Sequence, residues 1–233
     1  MRRTALFAFA AASLTAPSAL AAIDATAFDG DANRFNFFLD ATEQAVAEVR
    51  YGNNTAAGDW ELGVGENTQA TGKFDLGHRT FVSGLAETFS VTYDGNVRLE
   101  LTVDGQTVGY DLPAPLSVNE LALRIGFGDG PGVGTGNSAT VDNLVLNGDP
   151  LSPDTLDSVF DEAGARYLFI DEAFTLGSAF TLAGDIAFAW SPTDNALQGS
   201  RPSFQVKVVD AVPEPGTALL AGVGLVALAA RRR

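Results

Sequence analysis

The chain has 233 residues, of which 14 are basic and 29 acidic, and its formal net charge is −15. It contains no cysteine, which excludes disulfide bonds and thiolate metal sites. Because nucleic acids and anionic lipids repel so acidic a chain, neutral glycans and divalent cations are the partner classes that remain compatible.

The N-terminus has the three parts of a secretory signal peptide. Arg2 and Arg3 precede an apolar stretch over residues 5–14, and small residues stand at Ala19 and Ala21. Crossing a bilayer takes about 20 apolar residues, so this stretch is too short for a permanent anchor. We therefore expect residues 1–21 to be a signal peptide that signal peptidase removes after Ala21.

The C-terminus has a three-part pattern of its own. A Pro-Glu-Pro box precedes an apolar run over residues 217–230 and three terminal arginines. The prolines block helix and sheet hydrogen bonds, so the box should be extended and open to a protease. A helix over residues 218–230 would be about 20 Å long, and bilayer thinning and arginine snorkelling would accommodate that short span. The arginines favour the cytoplasmic side.

This tail resembles the PEP-CTERM sorting signal of Gram-negative bacteria. The resemblance implies that an exosortase-type membrane protease cuts near the box during export to the cell surface or extracellular matrix. The membrane would then hold the chain only through this tail, before processing. Removal of both processed ends would take away Arg2, Arg3 and the three C-terminal arginines, and the net charge would then be about −20. The residues that would serve sorting and processing are Pro213, Glu214, Pro215, Arg231, Arg232 and Arg233.

Short alternating segments predict one all-β domain over residues 22–210. The clearest signal is a three-strand meander over residues 88–112, in which Asp94-Gly95 and Asp104-Gly105 favour type I′ turns. We predict an antiparallel two-sheet sandwich of jelly-roll type. Two small β units divided at Asn147-Gly148 are the alternative. Further strands are predicted at residues 34–39, 45–51, 120–127, 140–146, 166–170, 179–182, 185–190 and 203–209.

One segment, residues 153–163, predicts a short helix. Ser152 could cap it, Pro153 suits its first position, and Gly164 would end it. Apolar residues recur within it at spacings of three and four.

The body of the chain resembles the choice-of-anchor surface domains of bacteria. The resemblance rests on three strand-like segments, residues 139–148, 180–190 and 203–209. It implies a globular surface domain, and it carries over no catalytic residues.

Residues that could support catalysis are few. Nucleophilic catalysis by a Ser-His-Asp triad needs a base, and the one histidine is His78, which we expect on a surface loop between strands. The glycine-rich residues 126–136 follow a strand, but a strand and no helix follows them, so we expect a surface loop and no phosphate site. Glycoside hydrolysis needs two carboxyl groups in a cleft. The pairs that qualify by type alone are Glu43 and Glu48, Glu61 and Glu66, and Asp171 and Glu172.

Two binding sites are also conceivable. Asp129 could share calcium with Asp142 or Asp149, although the chain has no Asp-x-Asp-x-Asp loop. Trp60 lies between Asp59 and Glu61, so it is the better candidate for stacking on a sugar, whereas Trp190 shares a strand face with apolar residues. We expect no cofactor.

The sequence therefore predicts an exported, non-enzymatic envelope protein. A carbohydrate-binding module in the extracellular polysaccharide is the first alternative, and a secreted hydrolase is the second.

Overall fold

The computed structural model describes ten segments of the chain, and the predicted signal peptide and C-terminal tail lie outside them. The described residues are 23–24, 26–29, 43–51, 60–66, 74–116, 120–126, 137–159, 165–170, 179–190 and 202–209. Within these segments the regular structure is all strand, and no membrane-spanning helix is found among them.

The described residues form fifteen strands. In chain order they are β1 Ile23–Asp24, β2 Thr26–Asp29, β3 Glu43–Tyr51, β4 Trp60–Gly65, β5 Phe74–Arg79, β6 Ala86–Tyr93, β7 Arg98–Val103, β8 Gln106–Asp111, β9 Glu120–Gly126, β10 Ser138–Leu146, β11 Asp149–Ser152, β12 Leu156–Val159, β13 Ala165–Ile170, β14 Phe180–Ala189 and β15 Ser203–Val209.

The strands form two sheets. The first has the order β1-β11-β10-β14-β6-β7-β8, with β12 also paired to β10, and the second has the order β2-β13-β9-β15-β3-β4-β5. Every pairing is antiparallel except the two-residue β1–β11 pair. Strands from before and after Asn147-Gly148 share both sheets, so the described strands are not divided there into two β units.

The sheets pack face to face around one apolar core, as predicted for a sandwich. Phe89 of β6 and Phe204 of β15 meet across the core with ring centroids 4.8 Å apart. Alternate residues of a strand point to opposite faces of the sheet, so every second residue of β7 faces the core. Leu99, Leu101 and Val103 are accordingly fully buried on one face. The jelly-roll subtype stays a prediction.

The central strands of the second sheet carry buried residues on both faces. In β15, Phe204, Val206 and Val208 point into the core, yet Lys207 and Val209 on the opposite face are also buried. In β3, Ala47 and Val49 belong to the core, while Glu48 points the other way. The buried polar side chains of this opposite face, such as Glu48 and Lys207, therefore need partners within the protein.

The predicted turns differ from one another. Asp104 and Gly105 have φ values of 44° and 79°, so this turn has the predicted type I′ signs. At Asp94-Gly95 only Gly95 has a positive φ, and the Asp94 N–H donates to the Arg98 carbonyl across a loop of residues 95–97. The type I′ prediction is therefore wrong at Asp94, because its carboxylate accepts hydrogen bonds from the Asn96 and Arg98 N–H groups and fixes a longer loop.

The predicted helix is wrong where the structure describes it. Leu156–Val159 form strand β12, which pairs with β10. The Thr155 hydroxyl donates to the Asp142 carboxylate at 2.7 Å, and the Asp154 carbonyl accepts from the Leu144 N–H at 3.0 Å. These bonds outweigh a weak helix signal that includes Thr, Asp, Ser and Val. Residues 160–163 lie outside the described segments.

Other strand boundaries were partly predicted. The segments predicted at residues 179–182 and 185–190 are one continuous strand, β14, because Gly184 pairs with Phe89 without a break. Strands β4 and β5 were not predicted. The strand predicted at residues 34–39 lies outside the described residues.

Candidate functional site

The outer face of the second sheet carries a charged network on three neighbouring strands. Glu48 and Arg50 are alternate residues of β3, and Arg50 is paired in register with Glu61 of β4. The Arg50 Nε donates to Glu61 Oε2 at 2.8 Å, and its Nη1 lies 3.3 Å from Glu48 Oε1. Gln205 of β15 donates to Glu48 Oε2 at 2.9 Å. One arginine therefore bridges two carboxylates from adjacent strands.

Most of this network is shielded from water. Glu48 is 2% exposed, and Arg50 is the most accessible member of the ion pairs. Both oxygens of Glu48 are engaged, one by a guanidinium and one by an amide. These two partners occupy the buried carboxylate, so it is not presented to a substrate.

A second polar cluster joins the two sheets. Arg79 ends β5 in the second sheet, and its Nη2 lies 2.9 Å from Glu87 Oε2 on β6 of the first sheet. Its Nη1 donates to the Val103 carbonyl at 2.6 Å, and its guanidinium lies 5.2 Å from the Phe81 ring centroid. Burial raises the pKa of the Glu87 carboxyl, and the nearby Arg79 charge opposes that rise.

Trp60 is in the core, so the expectation that it is the exposed ring is wrong. It is 1% exposed, and its ring packs on Phe81 and Phe188 at 4.7 and 4.5 Å. Tyr51 and Trp190 lie farther out, each with its centroid 5.8 Å from Trp60, and both are only partly buried. A ring as buried as Trp60 has no free face for a sugar.

Of the carboxylate pairs predicted by type, the structure describes both side chains only for Glu61 and Glu66, and these two have different partners. Glu61 belongs to the Arg50 network, whereas Glu66 accepts a hydrogen bond from the Tyr110 hydroxyl at 2.9 Å. Asp171 and Glu172 lie outside the described residues, as does the side chain of Glu43. His78 is exposed within strand β5, in register with Glu61, and not on a loop.

The predicted calcium ligands can be placed only in part. The Asp142 carboxylate accepts hydrogen bonds from the Thr155 hydroxyl and the Asn143 N–H, and these bonds lower the pKa of Asp142. Asp149 begins β11, and Asp129 lies outside the described residues. Among the residues that the structure describes, no cluster of three or more His, Cys, Asp or Glu could hold a metal.

The last described strand leads directly toward the C-terminal tail. Strand β15 ends at Val209, which is in register with Glu43 of β3 and Glu120 of β9. Residues 211–233 match the PEP-CTERM protein-sorting motif. This match supports sorting of the chain to the cell envelope by an exosortase, a membrane protease-like enzyme. No curated protein matches the chain.

The sorting residues and the signal cleavage residues lie outside the described segments. These are Pro213, Glu214, Pro215, Arg231, Arg232 and Arg233 in the tail, with Ala19 and Ala21 at the N-terminus. The Arg50 network was missed by sequence reasoning. Its signal was the alternation of charged Glu48 and Arg50 with apolar Ala47 and Val49 in one strand.

Proposed function

We propose that this chain is a non-enzymatic protein of the cell surface or extracellular matrix of a Gram-negative bacterium. A signal peptide over residues 1–21 exports it, and an exosortase-type protease processes its C-terminal tail. The observation that carries this proposal is the match of residues 211–233 to the sorting motif. The membrane helix of the tail would be temporary.

The contacts of three buried glutamates favour a role without catalysis. The buried Glu48 and Glu61 are tied to Arg50, and the buried Glu87 is tied to Arg79. Glycoside hydrolysis needs one carboxyl that gives a proton and a second that attacks or activates water. A buried carboxylate that is already bonded to an arginine is not free to contact a substrate.

Carbohydrate binding is the second candidate, and the partly buried ring of Trp190 favours it. The Trp190 backbone N–H donates to the Ser83 hydroxyl at 2.9 Å, and that hydroxyl donates to the Trp190 backbone carbonyl at 3.0 Å. These bonds hold the backbone at Trp190, and its ring packs against Trp60 at 5.8 Å. A side chain that is held before a ligand arrives lowers the entropic cost of stacking on a neutral sugar.

The chain offers a matched pair of substitutions to test the sorting proposal. Pro215→Ala changes the box, whereas Pro115→Ala changes a second Pro-x-Pro sequence, at the exposed residues 113–115 of the sandwich. Both variants are expressed in the producing bacterium, and the cell fractions are analysed by mass. We expect Pro215→Ala to accumulate as a precursor in the inner membrane and Pro115→Ala to be processed normally. Normal processing of Pro215→Ala would refute the proposal.

A further inference from the structure

The two ends of the sandwich can be told apart through the contact between Phe89 and Phe204. These rings are 4.8 Å apart, so they mark one level along strands β6 and β15 of opposite sheets. Five residues farther along each strand lie Asp94 and Val209. Both strands start at the same end, because Pro202 is bonded to Tyr51 beside Trp60, and Trp60 packs on Phe188, one residue beyond the partner of Ala86. Packed sheets keep their strand directions within about 30°, so Asp94 and Val209 belong to the same opposite end of the sandwich.

A second route through the chain gives the same placement. The Tyr93 hydroxyl accepts a hydrogen bond from the Leu116 N–H at 2.8 Å, and it donates to the Asn96 carbonyl. Glu120, four residues beyond Leu116, is in register with Val209. We call the end formed by residues 94–97, Leu116, Glu120 and Val209 the tail end of the sandwich.

The opposite end, which we call the far end, includes Pro202, the residue before β15. The Tyr51 N–H donates to the Pro202 carbonyl at 3.1 Å, and the Tyr51 ring packs on Trp60. Trp60 contacts Trp190, and the adjoining turn over residues 81–85 carries two exposed apolar residues, Val82 and Leu85. Seven-residue β15 separates the two ends by about 20 Å.

The sorting box can lie only a short distance from the tail end. Val209 and Pro213 are four residues apart, which spans at most about 14 Å of extended chain. The end of strand β15 cannot detach to lengthen this connection, because β15 is paired with β3 and β9 on either side and its last residues are buried. Even a tail folded back along β15 would leave Pro213 about 6 Å short of the far end.

We propose that the tail end of the sandwich is the surface that meets the processing protease when the protease binds the Pro-Glu-Pro box. The far end, with Val82 and Trp190, then points away from the membrane and toward the matrix. This inference rests on the proposed function, because it requires a protease at the box.

Site-specific crosslinking tests this arrangement, since the chain has no cysteine of its own. Asn96→Cys lies at the tail end and Val82→Cys at the far end, and both positions are exposed. Ala211→Cys, next to the box, reports whether the protease is bound. Each full-length variant is labelled with benzophenone-maleimide in spheroplasts that carry an epitope-tagged, catalytically inactive processing protease, and is then irradiated.

We expect the adduct with the tagged protease to be at least about tenfold stronger from Asn96→Cys than from Val82→Cys. Equal adducts, or a stronger one from Val82→Cys, would overturn the inference. An adduct from Ala211→Cys alone would overturn it too, because the protease would be bound without meeting the tail end. No adduct from any position would instead refute the sorting proposal on which the inference rests.

Discussion

The guanidinium of Arg79 lies 2.9 Å from the carboxylate of Glu87, and this ion pair joins the two sheets of the sandwich. The side chains of Arg79 and Glu87 are only 12% and 6% exposed, so the pair is shielded from water. Arg98, by contrast, forms ion pairs with Glu100 and Asp111 at the surface. The contrast between these two arginines gives a direct test of how the sandwich is held together.

Arg79→Met should lower the free energy of unfolding by about 3 kcal/mol, because it leaves Glu87 buried without its cation. Urea unfolding followed by circular dichroism measures the change. Arg98→Met is the matched control, and it should cost less than about 1 kcal/mol, since its ion pairs are exposed. Equal losses of unfolding free energy in the two variants would mean that the Arg79–Glu87 ion pair does not stabilise the packing of the two sheets.

The Glu87 carboxyl should make the protein less stable as the pH rises. Burial raises its pKa above the ordinary 4.5, with Arg79 opposing the rise. The stability that Glu87 contributes is therefore fully present below about pH 4.5 and is lost as the pH rises through the folded-state pKa. Wild type should lose stability relative to Glu87→Gln over that window. Urea midpoints of both proteins between about pH 4 and 8 measure this, and a constant difference would contradict the shift.

The two tryptophans should differ in their exposure to solvent. Trp60→Phe leaves only Trp190, which is partly buried, and Trp190→Phe leaves only Trp60, which is 1% exposed. Iodide should therefore quench the fluorescence of Trp60→Phe and leave that of Trp190→Phe nearly unchanged. Equal quenching would place Trp60 outside the core.

Gly184 should tolerate no side chain. A Cβ there would lie 2.8 Å from the Asp142 carbonyl oxygen, where the neighbouring strand β10 is irregular. Gly184→Ala should cost about 1–3 kcal/mol in unfolding free energy, because a backbone atom must move.

Gly109→Ala is the control for that substitution. Its Cβ would meet the guanidinium of Arg98, a flexible group at the surface. The cost should stay below about 1 kcal/mol, since the side chain can turn away. If Gly109→Ala lowered the unfolding free energy more than Gly184→Ala, the close approach of Gly184 to the Asp142 carbonyl would be contradicted.

Much of the sandwich could be predicted from local pattern, and the meander over residues 88–112 shows why. Its alternating strands and its Asp104-Gly105 turn carry their own structural signals, whereas the Asp94 loop depends on hydrogen bonds to its carboxylate. Strand β12 could not be predicted, because its pairing partner β10 and the Thr155–Asp142 hydrogen bond are properties of the fold.

The candidate sites, too, depend on contacts that local sequence pattern does not give. Trp60 follows Asp59 and precedes Glu61, so its sequence neighbourhood suggests an exposed ring. In the fold, Arg50 of the adjacent strand satisfies Glu61, so a charged residue can lie beside a core tryptophan. By contrast, the tail pattern is contiguous in sequence, and its match to the sorting motif needed no knowledge of the fold.

Mass spectrometry of both ends of the protein, purified from the producing cells and their medium, tests the central claim most directly. The account predicts a chain that starts at Ala22 and has lost Arg231, Arg232 and Arg233 through a cut near Pro215. A protein that keeps both ends, or that stays in the inner membrane with its tail intact, would contradict export and sorting as proposed.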